Sequence, residues 1–234
     1  MRLFPGNPWP RDAWMAMVST ARQACAGRNA GHDFSHVERV TGTAWEIAGH
    51  EPCDRGVVLA AALLHELVNH PKNHERSSLS GLDCAREALA LLESTGAEAG
   101  LANRVAECVA SHGWSAGKAP PSTEAAVLQD ADRLDALGAI GLARCIATGV
   151  EMGAALFHPE DPFALGRELD DKAFSLDHLP RKLFRLTESF HTRAAREMAR
   201  SRALFLRHFV ERLAGELGME PPGESRWGAP TSQP

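Results

Sequence analysis

The sequence has no surplus of positive charge and no long apolar run. Among 234 residues, 25 lysines and arginines stand against 30 aspartates and glutamates, which gives a formal net charge of −5. A chain without a global basic field does not attract nucleic acid or an anionic membrane by charge alone. We therefore expect neither a nucleic-acid polymer nor a membrane as a partner. Any phosphate-bearing ligand must be held by a local site.

Export and cross-linking signals are also missing. No stretch approaches the roughly 20 apolar residues of a membrane span, and prolines and charges stand where a signal peptide needs an apolar core. The five cysteines occur singly, without a CxxC pair. That pattern is typical of reduced, buried thiols and not of a disulfide framework or a zinc knuckle. The sequence predicts a cytoplasmic protein.

No run alternates between apolar and polar residues for long enough to predict a strand. Apolar residues instead recur at the helical period, with Gly, Pro, Asn and Ser at the joints. Candidate helices cover roughly 11–27, 34–49, 54–69, 78–94, 98–112, 122–137 and 138–149, followed by a long helical region over 179–218. We predict an all-α bundle that forms a single domain over 1–218. It includes an irregular loop at about 150–178, long enough to be functional, and 219–234 reads as a disordered tail.

Two stretches place histidines where a helix would turn them inward. On its own, His36 in GHDFSHVERV reads as a hydrogen-bonded core histidine. In AALLHELVNH, however, His65 and Glu66 follow an unbroken apolar run. Adjacent helical residues are about 100° apart, so both cannot leave the core, and an unpaired buried carboxylate costs several kcal/mol. A cation would resolve this conflict, and the donors suit manganese, iron, cobalt, nickel or zinc.

A third stretch, VLQDADRLDALGAIGLAR, brings carboxylates into a segment that is otherwise apolar enough for the core. Asp132 and Asp135 share a helical face at a spacing of three residues, and Asp130 points elsewhere. One of the three is expected to be buried. A salt bridge with Arg133 or Arg104 would explain a single such carboxylate, but it does not explain three stretches that converge.

The order of these residues resembles the HD-domain superfamily, whose ligands are H, then HD, then D. Longer strings, among them HDFSHVERV, ALLHELVNHPKNHERSS, ASHGWSA and DPFALGRELDDKAFSLDH, resemble stand-alone bacterial HD-domain phosphohydrolases over roughly 12–217. The resemblance implies an all-α, HD-domain-like helical bundle. It also implies one divalent transition metal, with manganese favoured, and metal-activated water that hydrolyses a phosphate or pyrophosphate bond. The implied substrate is a small phosphorylated molecule, foremost a nucleotide.

The resemblance assigns metal ligands residue by residue. His36, His65, Glu66 and Asp132 match the ligand positions, with Asp130 as the fallback for the last. Glu66 departs from the family, which has Asp there. It keeps the charge and the donor type but adds one methylene, so its carboxylate reaches further. Activity depends most on this position.

The segment after the metal pair is expected to bind the substrate. In NHPKNHERS, Pro71 ends the helix, and Lys72, Asn73 and His74 form a polar loop. Lys72 is the first candidate for holding phosphate and for a catalytic role beside Glu66. A solvated loop lysine is the plain alternative.

Further candidates lie elsewhere in the chain. The resemblance gives His112 a catalytic role, as a proton donor to the leaving group or as an orienter of water. Arg133 would bind phosphate or brace the ligands, and Lys172 would belong to a lid in the irregular loop. His32 and Asp33, one turn before His36, would cap the helix or support His36.

Two other functions stay open from the sequence. A di-metal HD protein, such as a diiron oxygenase, needs two further histidines between the pair and the last Asp. His112 could be one, but the intervening helix has Asp83, Cys84, Arg86 and Glu87 and no histidine, which favours one metal. Alternatively, Glu66 leaves a catalytically weakened metal- or nucleotide-binding module. A monomer and a homodimer are equally compatible with the sequence.

Overall fold

The computed structural model describes residues 4–28, 31–70, 75–76, 79–113, 119–223 and 227. The predicted substrate residues Lys72, Asn73 and His74 lie outside this set. The all-α fold class is confirmed, and within the described part the nearest approach to a sheet is one isolated parallel bridge between Ala155 and Phe174. None of the described helices has both the length and the apolar character needed to cross a membrane.

The helices follow the predicted order. They are α1 Arg11–Ala24, α2 Phe34–Ala48, α3 Arg55–Leu64, α4 Ser80–Ser94, α5 Ala99–Ala110, α6 Thr123–Leu134, α7 Gly138–Glu151, α8 Phe184–Leu186 and α9 Arg193–Glu216. A 3-10 turn at Ser175–Asp177 and a π-helical turn at Leu179–Leu183 precede α8. The predicted long helical region over 179–218 is therefore two pieces, with α9 as the regular one.

Contacts divide the chain into two compact units, Met1–Asp132 and Arg133–Pro234. The first unit holds α1 to α5 and all but the end of α6. The second holds α7 to α9 and the segment 150–178. The single domain over 1–218 stays a prediction.

Helix α3 lies at the centre of the first unit. Every residue from Gly56 to Leu64 is buried, as expected for a helix that is apolar on all sides. The Asp54 carboxylate caps its first turn by accepting from the backbone N–H groups of Gly56 and Val57 at 2.9 and 3.3 Å. Helices α1, α2 and α5 pack around it.

Helix α3 ends at Leu64, so the predicted helix over 54–69 extends too far. The cause lies in donors from outside the helix. The Cys84 thiol donates to the carbonyls of Leu64 and His65 at 3.2 and 3.1 Å, and burial raises the pKa of this thiol to about 12, so it keeps its proton. Arg28 donates to the carbonyls of the next two residues at 2.6 and 3.3 Å. The chain turns here, and the His65–Glu66 pair lies in that turn.

In the second unit, the irregular segment is organised around a buried carboxylate. Asp177 is fully buried and accepts two hydrogen bonds from the Arg167 guanidinium, at 2.6 and 2.8 Å. It also accepts from the backbone N–H of Asp170 at 2.7 Å. A buried carboxylate is tolerated when it is paired and fully hydrogen-bonded in this way.

Within the predicted disordered tail at 219–234, the structure differs at Trp227. This side chain is buried, its indole N–H donates to the Phe163 carbonyl at 3.1 Å, and its ring meets the rings of Phe163 and Phe184. A tryptophan gains from burial when its N–H finds an acceptor. The polar composition of the tail hides this single anchoring residue.

Helices α4 and α5 approach closely at Gly81. A Cβ atom at this position would lie 2.9 Å from the Ala110 carbonyl oxygen, so Gly81→Ala must push the end of α5 away. We expect a loss of about 1–2 kcal/mol in the free energy of unfolding, measured as a Tm lower by roughly 2–8 °C. The matched control is Gly215→Ala in α9, where a Cβ meets nothing within 4 Å and helix propensity favours Ala. Equal Tm values for the two variants would contradict the close approach.

Candidate metal centre

His36 stands in the first turn of α2. The Asp33 carboxylate caps this helix by accepting from the backbone N–H of His36 at 2.9 Å, as an N-cap Asp does. The ring of His36 is 1% exposed. The cap therefore sets the start of the helix, and the start of the helix places this imidazole in the core.

His65 faces His36 across the turn that follows α3. Its Nδ1 lies 2.7 Å from the Ala62 carbonyl, which can only accept, so Nδ1 carries the proton and Nε2 is left with a lone pair in the neutral ring. Burial lowers the pKa of His65 to about 4, although Glu66 and Asp132 oppose the shift. The ring is therefore neutral near pH 7. Its Nε2 lies 3.3 Å from His36 Nε2.

Asp132, in the last turn of α6, completes a group of three donors. Its Oδ1 is 3.4 Å from His36 Nε2, and the ligand atoms of His36, His65 and Asp132 all lie within 4.8 Å of one another. Burial raises the pKa of the Asp132 carboxyl, but the hydrogen bond with His36 and the nearby imidazoles outweigh it and hold that pKa well below its usual range. The carboxylate is therefore ionised.

Glu66 belongs to a second group, which also contains His36. The ligand atoms of His32, His36 and Glu66 lie within 4.8 Å of one another. Among the described residues, these two groups are the ones that could hold a metal ion, and the fallback Asp130 is in neither. Asp130 is fully buried. The structure thus brings the four predicted ligands to one place but divides them between two groups.

Three side chains hold the Glu66 carboxylate. His32 Nδ1 lies 2.9 Å from Oε1, and Oε2 accepts from Arg28 at 3.2 Å and from the Asn69 amide at 3.0 Å. Burial raises the pKa of Glu66, but the bond with His32 and the neighbouring imidazoles outweigh it and lower the pKa to about 2. The sequence predicted that Glu66 would be buried and would need a partner. In the structure its carboxylate is ionised, and both of its oxygens are hydrogen-bonded.

Arg28 and Asn69 are absent from the sequence-based prediction. Arg28 lies 38 residues before Glu66 and belongs to none of the motifs, whereas Asn69 lies within AALLHELVNH but received no role there. The one signal is the extra methylene of Glu66, which implies that its carboxylate must find partners beyond the usual position.

His112 follows the end of α5, beside His65. Its Nδ1 lies 2.6 Å from the Val109 carbonyl, and its ring centroid is 5.4 Å from that of His65. With the Nδ1 proton directed to a carbonyl, Nε2 is the nitrogen that remains for an acid–base role. The catalytic role predicted for His112 requires such proximity to the candidate metal ligands.

The remaining predicted site residues belong to the second unit. Arg133 donates to the Ser189 carbonyl at 2.6 Å and meets His191 Nε2 at 3.0 Å. Lys172 is exposed, and its backbone N–H donates to Asp170 at 3.1 Å. Their roles as phosphate binders stay predictions.

The donor set fits a divalent cation. Adjacent ligands of an ion with bonds of about 2.1 Å lie roughly 3 Å apart, close to the 3.3 and 3.4 Å measured around His36 Nε2. Imidazole nitrogens with carboxylate oxygens suit the borderline transition metals and manganese.

Comparison with known proteins gives this geometry a family. The family profile described as HD domain matches residues 33–137, which include His36, His65, Glu66 and Asp132. The YpgQ protein of Bacillus subtilis (strain 168) is 32% identical over 193 residues, which are 81% of this chain and 86% of YpgQ. The chain belongs to the HD-domain superfamily. Its resemblance to stand-alone HD-domain proteins is thereby confirmed.

Solved HD-domain structures share the fold over nearly their whole length. The crystal structure of B. subtilis YpgQ in complex with ADP has a TM-score of 0.68 at 29% identity and covers 88% of this chain and 95% of that one. An HD-superfamily hydrolase from Bacillus thuringiensis has a TM-score of 0.67 at 27% identity, with 88% and 97% covered.

Arg28 is expected to be a strong determinant of stability in this HD domain. Arg28→Ala removes the cation paired with the buried Glu66 carboxylate and the donor to two carbonyls, so we expect a loss of about 2–4 kcal/mol. The matched control is Arg22→Ala, whose exposed guanidinium stacks 4.6 Å over the Phe34 ring and contributes about 1 kcal/mol or less. Urea unfolding measures both variants. Losses of similar size would contradict the role assigned to Arg28.

Proposed function

We propose that this HD-domain protein is a metal-dependent phosphohydrolase. It hydrolyses a phosphate or pyrophosphate bond in a small phosphorylated substrate, foremost a nucleotide. The observation that carries the proposal is the convergence of His36, His65 and Asp132, buried or half-buried donors whose ligand atoms all lie within 4.8 Å. The relationship to a hydrolase and to YpgQ, which was solved with ADP, supports it.

The ion that fits this site would be one divalent transition metal, and manganese is favoured. When bound, it supplies a Lewis acid for a phosphoryl oxygen and makes water a nucleophile near neutral pH. His36, His65 and Asp132 would hold it. Catalytic metal sites use three protein ligands and keep further positions open for water and substrate, which is the number of donors in this group.

The side chains around the ion would transfer protons and balance charge. His112 would donate a proton to the leaving group or orient the attacking water through its Nε2. Glu66, ionised and neutralised by Arg28, would hold His32 in place by accepting its hydrogen bond.

Phosphoryl transfer depends mainly on positioning and on positive groups for the phosphoryl oxygens. Lys72, Asn73 and His74 begin six residues after Glu66 in the sequence and would supply the first such contacts. Arg133 and Lys172, which come later in the sequence, are also proposed to bind the substrate. We propose that the protein acts in the cytoplasm, on a small molecule and not on a nucleic-acid polymer.

The test is turnover by the full chain loaded with manganese, cobalt or nickel. The substrates are nucleoside mono-, di- and triphosphates and simple phosphate esters. We expect metal-stimulated release of phosphate or pyrophosphate, and a loss of about 100-fold or more for His65→Gln and Asp132→Asn. The control is His50→Gln, at an exposed histidine at the end of α2. No metal-stimulated release across the panel would refute the proposal.

A catalytically weakened binding module is the second candidate. One observation favours it: both oxygens of the Glu66 carboxylate are already held by His32, Arg28 and Asn69. Under our proposal this arrangement supports turnover, so Glu66→Asp should leave kcat within about tenfold of the parent, a change of roughly 1.4 kcal/mol. A near-silent parent and a gain of several hundred-fold for Glu66→Asp would favour the binding module. Steady-state kinetics with the best substrate of the panel decides between them.

Metal analysis addresses the remaining alternative. Two irons per chain in the protein as purified would favour a di-metal HD protein, whereas the proposed centre holds one ion.

A further inference from the structure

We propose that Asp83, in the first turn of α4, is a positioning residue that fixes both flanks of the segment 70–76. This segment contains the three residues that the proposed function assigns first to the substrate phosphate, so the inference rests on that function. Asp83 is in neither of the groups of described residues that could hold a metal ion. What carries the inference is that its one carboxylate binds both His70 and Arg76.

The contacts of the Asp83 carboxylate are the first step. His70 Nε2 lies 2.9 Å from Oδ2, and one nitrogen of the Arg76 guanidinium donates to Oδ1 at 3.0 Å and to Oδ2 at 2.8 Å. The hydrogen bond with His70 lowers the pKa of Asp83, and Arg76 lowers it further against the opposing effect of burial. The carboxylate is therefore ionised and can only accept, so Nε2 of His70 carries the proton. Its hydrogen bonds with Arg76 are charge-assisted.

The backbone of each flank is held at the same end of α4. The N–H of His70 donates to the Ser80 hydroxyl at 3.1 Å, and the carbonyl of Arg76 accepts from the N–H of Leu79 at 2.8 Å. The two flanks therefore have both a side-chain and a backbone attachment at the start of one helix. A loop whose ends are fixed loses less conformational entropy when it binds a ligand.

The place of Asp83 is itself fixed by its surroundings. Asp83 is 8% exposed, and Arg86, one turn later in α4, donates to its Oδ1 at 3.2 Å. An acidic residue in the first turn of a helix is also favoured by the helix dipole. In the same turn, Gly81 closely approaches the Ala110 carbonyl at the end of α5. Helix α4 thus holds the carboxylate in one position for both flanks.

Charge and positioning make opposite predictions for this carboxylate. Arg76 and Arg86 both pair with Asp83, so removal of its negative charge makes the cluster more positive. By charge alone, Asp83→Ala would bind an anionic substrate more tightly. If Asp83 instead positions the segment that binds phosphate, the same substitution weakens binding. The direction of the change in KM therefore separates the two effects.

The experiment uses the full chain and two readouts. Hydrogen exchange followed by mass spectrometry gives the exchange rates of the backbone amides over 70–76 and requires no turnover. Steady-state kinetics of the manganese-loaded protein gives KM and kcat for the best substrate of the panel. The matched control is Glu87→Ala, which removes an exposed carboxylate from the same helix. Asp83→Asn, which keeps the size of the side chain and one oxygen, serves if Asp83→Ala fails to fold.

We expect Asp83→Ala to raise both the exchange rates over 70–76 and KM by about tenfold, with kcat within about threefold of the parent. A loss of folded protein would instead lower kcat and leave KM unchanged. Asp83→Asn should show smaller changes in the same direction, and Glu87→Ala should match the parent. Because Asp83 acts through the segment that contains Lys72, Asp83→Ala should raise KM much less in a Lys72→Ala background.

Three outcomes would overturn the inference and leave the proposed function intact. Unchanged exchange over 70–76 in both Asp83 variants would show that the carboxylate does not hold the segment. A lower KM in Asp83→Ala would show that it acts by charge alone. Independent, multiplying effects in the double variant would show that it acts apart from Lys72. Absence of metal-stimulated turnover in the parent would instead refute the proposed function, and the exchange rates would then decide alone whether Asp83 fixes the segment.

Discussion

The end of α3 depends on hydrogen-bond donors from other parts of the chain, and the candidate site depends on the end of α3. The last carbonyls of any helix lack partners within the helix. Water cannot supply them here, because Leu64 and His65 are almost completely buried. The Cys84 thiol does so instead for Leu64 and His65, and the Arg28 guanidinium donates to the next two carbonyls, those of Glu66 and Leu67. Since these donors bind where the chain turns, they also fix the direction in which His65 and Glu66 leave the helix.

Arg28 donates hydrogen bonds to the backbone of this turn and also pairs with the charged side chain of Glu66. One of its nitrogens donates both to the Glu66 carbonyl and to the Glu66 carboxylate. An ionised carboxylate that is 8% exposed is tolerable only with a cation or strong donors beside it. The same guanidinium thus ends the helix and neutralises the residue that departs from the HD motif. Substitution of Asp by Glu is accommodated by these partners and not by free space.

The sequence predicted those features that depend on local pattern. Helices α2, α4 and α5 begin or end within a few residues of the predicted bounds, because caps and apolar periodicity are local signals. The convergence of His36, His65 and Asp132 could be predicted because three polar residues in apolar surroundings demand a common explanation. The ligand residues of the candidate site were therefore easier to predict than the residues that hold them in place.

Features that depend on distant partners could not be predicted. Pro71 was taken to end the helix that contains His65, whereas the helix ends at Leu64 because of donors 19 to 39 residues away. No local property of Arg28 or Asn69 marks them as partners of Glu66. Trp227 was likewise hidden by the polar tail around it. At the end of α3 and at Trp227, hydrogen bonds between residues far apart in the sequence outweigh the local composition.

The balance of charge explains why a divalent cation, and not a proton, suits the centre. Arg28 cancels the charge of Glu66, and His65 is neutral because burial lowers its pKa to about 4. Asp132 is then left as one negative charge against two imidazoles. A proton would neutralise that charge but would occupy a nitrogen lone pair. A divalent ion would use the lone pairs as ligands and would turn the centre positive.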